Sequence, residues 1–112
     1  MKTTAQGLAA EVAVASLLKR QKYEILDQNW RTRTCEIDIT ARRNKVIYFV
    51  EVKFRSQIAQ GDGFEYVTSR KLKQMAYAAN MWCQQHDYSG DYRLMAAAVS
   101  GEDLENISLV EV

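Results

Sequence analysis

The chain has no proline, two cysteines, a single histidine and no long hydrophobic run. Two cysteines and one histidine are too few for a cysteine–histidine zinc cage. The first residues lack the apolar segment of a signal peptide, and no stretch reaches the ~18 apolar residues that a membrane helix needs. Without a secretion signal, Cys35 and Cys83 are expected to be free thiols in a reducing cytoplasm. We therefore predict a cytoplasmic protein that does not enter a membrane.

Length and periodicity predict one mixed α/β unit. The 112 residues suit a single domain, residues 1–112, and contain no internal repeat or low-complexity segment. Hydrophobic spacing predicts the order α-β-β-β-α-β-β. The predicted ranges are 6–22, 23–31, 34–42, 46–53, 69–86, 91–99 and 107–112. The first three strands should form an antiparallel meander, and the helix that follows should make strands three and four parallel. Helices should cover both faces of the mixed sheet.

Two local features add detail to this order. Leu8, Val12, Ala15 and either Leu18 or Leu17 recur at helical spacing and predict the apolar face of the first helix. A long loop containing Gly61-Asp62-Gly63 precedes the second helix, which Thr68 or Ser69 should cap. Loops of this length are often functional.

Positive charge is concentrated in the middle of the chain. Residues 31–73 hold ten Lys and Arg against five Asp and Glu, a net of +5, whereas the remainder has a net of −4. Cations also crowd the first turn of the second helix, which is the unfavourable end for them. The pattern indicates an anion-binding face, with nucleic acid as the obvious ligand. A solvated basic face with no partner is the alternative.

Charged residues interrupt elements that are otherwise apolar. The strand 46–53 ends in Glu51 and Lys53, which point to the same side because side chains alternate along a strand. They form either a strand-end ion pair or part of a site. Glu11 lies in an apolar helical stripe, and Asp38 lies in mid-strand, where Asp is disfavoured. The alternatives are that Glu11 reaches water at the edge of the stripe and that Asp38 faces solvent.

These charged residues together predict metal-assisted phosphate chemistry. If the second strand pairs with the third, Asp38 and Glu51 converge, and clustered carboxylates stay ionised together only around a cation. Oxygen ligands with room for water fit Mg²⁺ or Mn²⁺. Lys53 beside them can hold the attacking water or stabilise charge on a phosphate. This combination is typical of phosphodiester hydrolysis.

The spacing of Asp38 and Glu51-Val52-Lys53 resembles the PD-(D/E)xK nuclease signature, without its proline. The sequence is similar, more closely, to a family of small bacterial endonuclease-like proteins, the YraN-like family, although Cys35 replaces a usual glycine. The motifs are Gly7-x-x-Ala10-Glu11, Tyr23-x-Ile25-Leu26-x-x-Asn29-x-Arg31, Glu36-Ile37-Asp38, Phe49-Val50-Glu51-Val52-Lys53-x-Arg55 and Val67-x-x-x-Lys71. The resemblance implies a restriction-endonuclease-like αβββαβ core.

It also implies a role for each matching residue. Asp38 and Glu51 would be metal ligands with the Val52 carbonyl as a third, Lys53 would be the catalytic lysine, and Glu11 would bind a second metal or a metal-bound water. Arg55 and Lys71 would contact phosphates. The family's likeness to Holliday-junction resolvases suggests branched or structured DNA and a homodimer. Together with the basic middle, this predicts a nucleic-acid-binding set: Arg31, Arg55, Arg70, Lys71 and Lys73.

We thus predict a Mg²⁺- or Mn²⁺-dependent endodeoxyribonuclease. Two other classes stay open: a nucleic-acid-binding module without turnover on a nuclease scaffold, and a protein-interaction domain in which Glu51 and Lys53 are structural. A cysteine nucleophile with His86 as its base is disfavoured, because the sequence indicates no third orienting group. His86 is better interpreted as the end of the second helix.

Overall fold

The computed structural model describes residues 4–55 and 64–112, so the predicted loop turn at Gly61-Asp62-Gly63 lies outside the described residues. The elements follow the predicted order. They are α1 (Ala5–Arg20), β1 (Glu24–Arg31), β2 (Glu36–Arg43), β3 (Val46–Arg55), α2 (Ser69–Gln85), β4 (Tyr92–Ser100) and β5 (Asn106–Glu111). Neither helix is long and apolar enough to span a membrane, as far as the described ranges go.

The five strands form one mixed sheet in the order β1-β2-β3-β4-β5. The first three strands are the predicted antiparallel meander. Strands β3 and β4 run parallel, with Ile47 beside Tyr92 at one end and Arg55 beside Ser100 at the other. A helix connects them, as parallel neighbours require. This topology confirms the restriction-endonuclease-like αβββαβ core, to which β5 adds an antiparallel edge.

Each face of the sheet is covered by one helix, as predicted. On one face, Ala10, Val14 and Leu18 of α1 pack in a cluster with Val50 and Val52. On the other face, Trp82 of α2 packs in a second cluster that includes Ile47 and Phe49 of the same strand. Because β3 supplies both cores through alternate residues, it is the central strand of the fold.

The apolar face predicted for α1 is wrong in part. Leu8 is 43% exposed and Val12 is 60% exposed. The buried stripe is rotated from the predicted one and consists of Gly7, Ala10, Glu11, Val14, Ala15 and Leu18. Small residues allow the helix to lie close to the sheet, whereas hydrophobicity alone favours the larger side chains. Packing against the sheet, rather than hydrophobicity alone, therefore sets the orientation of α1.

Turn chemistry shifts two boundaries. The β2–β3 hairpin turns at Asn44 and Lys45, so β2 ends at Arg43, one residue beyond the predicted end, and both turn residues have positive φ (54° and 67°). Positive φ at both positions suits a two-residue hairpin turn. Strand β2 begins only at Glu36, because the Thr32 hydroxyl accepts bonds from the Thr34 and Cys35 amides and holds a preceding turn.

Candidate functional site

The β2–β3 hairpin brings Asp38 and Glu51 next to each other. Its short turn sets the register, and the last recorded pair of the ladder joins Ile39 to Val50. Asp38 and Glu51 are the next residue on each strand. Beyond that pair, the Val52 backbone N–H donates a 2.8 Å hydrogen bond to Asp38 Oδ2. The Asp38 carboxylate thus takes the place of a backbone carbonyl in the ladder, which fixes its position.

Asp38 is buried at 3% exposure, so the alternative of a solvent-facing Asp38 is wrong. The regular alternation of side chains along β2 is broken at Asp38. Ile37 packs in the cluster under α2, whereas Ile39 packs in the cluster under α1. In a regular strand these two side chains would share a face. Across the sheet, Asn29 lies between their partners on β1 and has a φ of 54°. The left-handed backbone conformation of Asn29 on β1 therefore lies opposite the break in alternation at Asp38 on β2.

Glu51 pairs with a lysine from α2. Lys71 Nζ lies 3.1 Å from Glu51 Oε2, and the Glu51 side chain is 16% exposed. Thr68 is the N-cap of α2, and its hydroxyl accepts the Lys71 backbone N–H, so the cap holds the first turn in place. The cation at the unfavourable end of the helix therefore has an anionic partner on β3.

Lys53 lies two residues beyond Glu51 and is exposed. Strand alternation puts its side chain on the same side of the sheet as Glu51. Its ammonium group can therefore be reached from solvent, next to a partly exposed carboxylate. This arrangement suits a group that must contact a polymeric substrate.

Glu11 is 1% exposed, so its head does not reach water at the edge of the stripe, which was the alternative for this residue. Among the residues the structure describes, no three His, Cys, Asp or Glu side chains cluster closely enough to hold a metal ion. A metal bound here would therefore rely on Asp38 and Glu51. Mg²⁺ commonly uses one or two carboxylates and completes its shell with water, so this donor set fits it.

Tyr66 is a residue that the sequence analysis did not find. Burial raises the pKa of its phenol well above the ordinary value, and the charges of Glu51 and Asp38 raise it further. The Arg55 guanidinium lies 6.0 Å from the centre of the Tyr66 ring and opposes the shift. The only sequence signal was an aromatic residue at the end of a long loop.

A basic groove borders the acids. It has a volume of about 620 Å³ and includes Glu51 in its wall. Of the five residues predicted to bind nucleic acid, Arg31, Arg70, Lys71 and Lys73 line this groove. Arg55 lies instead beside Tyr66, with Nη2 3.9 Å from Glu65 Oε2. Most of the predicted set is therefore brought together on one surface.

A cysteine–histidine site gains no support. Burial raises the pKa of the Cys83 thiol, which disfavours the reactive thiolate. His86 is the C-cap of α2, as its interpretation as a helix end predicted, and its ring stacks on Trp82 at 3.9 Å. Its Nδ1–H donates to the Trp82 carbonyl oxygen. Cys35 and Cys83 are both free thiols, as predicted.

Comparison with known proteins identifies the family. The model of Uncharacterised protein family UPF0102 matches residues 10–100. The chain belongs to this family. A UPF0102 protein of Fusobacterium nucleatum is 35% identical over 107 residues, which cover 94% of this chain and 89% of that protein. The UPF0102 match includes Glu11, Asp38, Glu51 and Lys53.

Other UPF0102 proteins align over most of their length. One from Cytophaga hutchinsonii is 32% identical over 99 residues, covering 88% of each chain. One from Vibrio campbellii is 35% identical over 103 residues, covering 88% of this chain and 84% of its own. These findings confirm the resemblance to a family of small bacterial proteins.

Proposed function

We propose that this protein is a metal-dependent endodeoxyribonuclease that hydrolyses DNA phosphodiester bonds. One observation carries the proposal: Asp38 and Glu51 are the residues that follow the last β2–β3 pair on neighbouring strands, and Glu51 lines a basic groove. Adjacent carboxylates repel each other and favour a bound cation, whereas the groove favours a polyanion. The family resemblance adds branched or structured DNA as the substrate shape.

The chain's own residues divide the work. Asp38, Glu51 and the Val52 carbonyl would hold Mg²⁺ or Mn²⁺, and Asp38 is already oriented by the Val52 N–H. The chemistry that such a metal would supply is polarisation of the phosphate and a lower pKa for a bound water. Lys53 donates a hydrogen bond to the attacking water or to a phosphate oxygen. A role for Glu11 at a second metal or a metal-bound water rests on the resemblance alone.

The test of this function is a cleavage assay on linear, nicked, flapped and four-way DNA with Mg²⁺ or Mn²⁺. Cleavage that requires either metal and stops on chelation supports the nuclease. Binding of DNA without cleavage under both metals supports a nucleic-acid-binding module instead. Two observations favour that second function: Lys71 already neutralises Glu51, and the described residues contain no three-acid cluster. Failure to bind any of these DNAs would exclude both.

Groove cations should contact phosphates. Lys73→Ala removes an exposed cation from the groove, so we expect weaker DNA binding. The slope of the logarithm of the binding constant against the logarithm of the salt concentration should become less negative by about 0.9 for each phosphate contact that is lost. Fluorescence anisotropy at several salt concentrations measures this slope. Lys19→Ala, an exposed lysine on α1, is the matched control. An unchanged slope in Lys73→Ala would mean that Lys73 does not touch phosphate.

Lys71 should oppose metal binding at Glu51. Lys71→Gln removes a cation 3.1 Å from the carboxylate, and we expect Mg²⁺ affinity to rise about two- to fivefold, the range of a partly exposed ion pair. Calorimetry with the metal alone measures the change. Weaker Mg²⁺ binding would show that Lys71 orients Glu51 for the metal rather than competing with it.

A further inference from the structure

Two buried hydrogen-bond donors near the end of β3 lack acceptors. The Tyr66 hydroxyl and the Arg55 Nε are both buried, and neither makes a hydrogen bond within the described parts of the chain. They are neighbours, because the Arg55 guanidinium lies over the Tyr66 ring at 6.0 Å. Buried polar groups in native proteins nearly always have a partner, and leaving one without a partner is costly. This pair therefore requires an explanation.

The backbone around Tyr66 is held in place before any ligand arrives. The Val67 N–H donates to the Phe64 carbonyl at 2.9 Å, which closes a turn around Tyr66. The Thr68 N–H then donates to the Tyr66 carbonyl at 3.0 Å, and Thr68 caps α2. Because the turn is attached to the helix start, the backbone at Tyr66 is held in place, and burial of the hydroxyl beside Arg55 restricts the ring. Preorganised donors are the arrangement that stabilises charge developing in a transition state.

The surroundings define the kind of acceptor that fits. The Tyr66 phenol has one O–H to donate and a guanidinium only donates hydrogen bonds, so a ligand that satisfies both must supply acceptor atoms. Arg55 lies on β3 four residues beyond Glu51, so strand alternation puts its side chain on the side of the sheet that carries Glu51 and Lys53. The acceptor therefore lies on the same side as the proposed metal site. A phosphodiester has non-bridging oxygens that can accept from two donors at once.

We propose that Tyr66 and Arg55 bind the phosphate that is cleaved, the phenol O–H and the guanidinium N–H each donating to a non-bridging oxygen. The inference rests on the proposed nuclease function and adds Tyr66 to it as a catalytic residue. No other tyrosine of the site serves this purpose: Tyr77 is exposed in the groove, and its hydroxyl is already 3.2 Å from the Thr34 hydroxyl.

The experiment compares Tyr66→Phe with Tyr92→Phe. Tyr92 lies beside Ile47, at the opposite end of β3 from Arg55, and is the matched control. Cleavage of labelled duplex DNA is measured with Mg²⁺, and affinity for the same duplex is measured with Ca²⁺. In Tyr66→Phe we expect kcat to fall about ten- to hundredfold, the value of a hydrogen bond to a charged group. The midpoint of unfolding should stay equal or rise, because a buried donor without a partner is removed.

The outcomes separate the two proposals. If the wild type cleaves and Tyr66→Phe cleaves equally fast, the Tyr66 inference is wrong and the nuclease stands. If the wild type binds DNA without cleaving it, the nuclease is wrong, and equal affinities of wild type and Tyr66→Phe overturn the inference as well. If no DNA is bound, both are wrong. Should Tyr66→Phe unfold, Arg55→Lys keeps the charge but removes the guanidinium, and undiminished cleavage or binding by it overturns the shared phosphate contact.

Discussion

Lys53→Ala is expected to lower metal-dependent DNA cleavage by a factor of about 10² to 10³, the usual loss for one donor that stabilises transition-state charge. The fold should survive, because Lys53 is exposed and surface substitutions change the free energy of unfolding by only about 0.5 kcal/mol. A single-turnover cleavage assay measures the rate, and thermal unfolding checks the fold. Lys19→Ala removes an exposed lysine on α1 and should leave the rate unchanged.

Lys53→Arg gives a finer test of the same residue. The substitution keeps the positive charge but replaces a compact ammonium with a larger, planar guanidinium, so the position of a bound water or phosphate oxygen is altered. We expect a rate between those of the wild type and Lys53→Ala. If Lys53→Ala cleaves at the wild-type rate, Lys53 takes no part in catalysis and is only a solvated residue at the end of the strand.

Asp38→Asn should abolish Mg²⁺ binding and cleavage while leaving the protein folded. The amide oxygen of the substituted side chain can still accept the Val52 N–H at the position of Oδ2, whereas the negative charge is lost. Asp38→Ala removes both, and it leaves a buried N–H without an acceptor at a cost of about 1–3 kcal/mol in the free energy of unfolding. Calorimetry with Mg²⁺ and denaturant unfolding of both variants measure the two effects separately.

The pair of variants distinguishes a metal ligand from a structural carboxylate. A ligand loses metal affinity in both variants but loses stability mainly in Asp38→Ala. A purely structural Asp38 would give the same pattern of stability with no change in metal affinity. Unaltered Mg²⁺ binding by Asp38→Asn would therefore contradict its assignment as a ligand.

The order of the elements and the placement of Asp38 and Glu51 on neighbouring strands could be predicted from the sequence, because both depend on local signals. Hydrophobic alternation located the strands, and a short turn between β2 and β3 fixed which residues lie opposite each other. The parallel pairing of β3 with β4 followed from the helix between them. Mid-strand acids were informative because propensity and burial both oppose them, so their presence indicated a special environment.

The sequence by itself determined the αβββαβ core and the hairpin that brings two acids together. Only the tertiary structure decided which face of α1 is buried, that Lys71 pairs with Glu51, and that the Tyr66 hydroxyl is buried with the Arg55 guanidinium over its ring. The reason is physical: turns and alternation act between neighbours along the chain. The rotation of an alanine-rich helix, and the contacts of a residue at the end of a long loop, depend instead on distant surfaces that pack only in the folded protein.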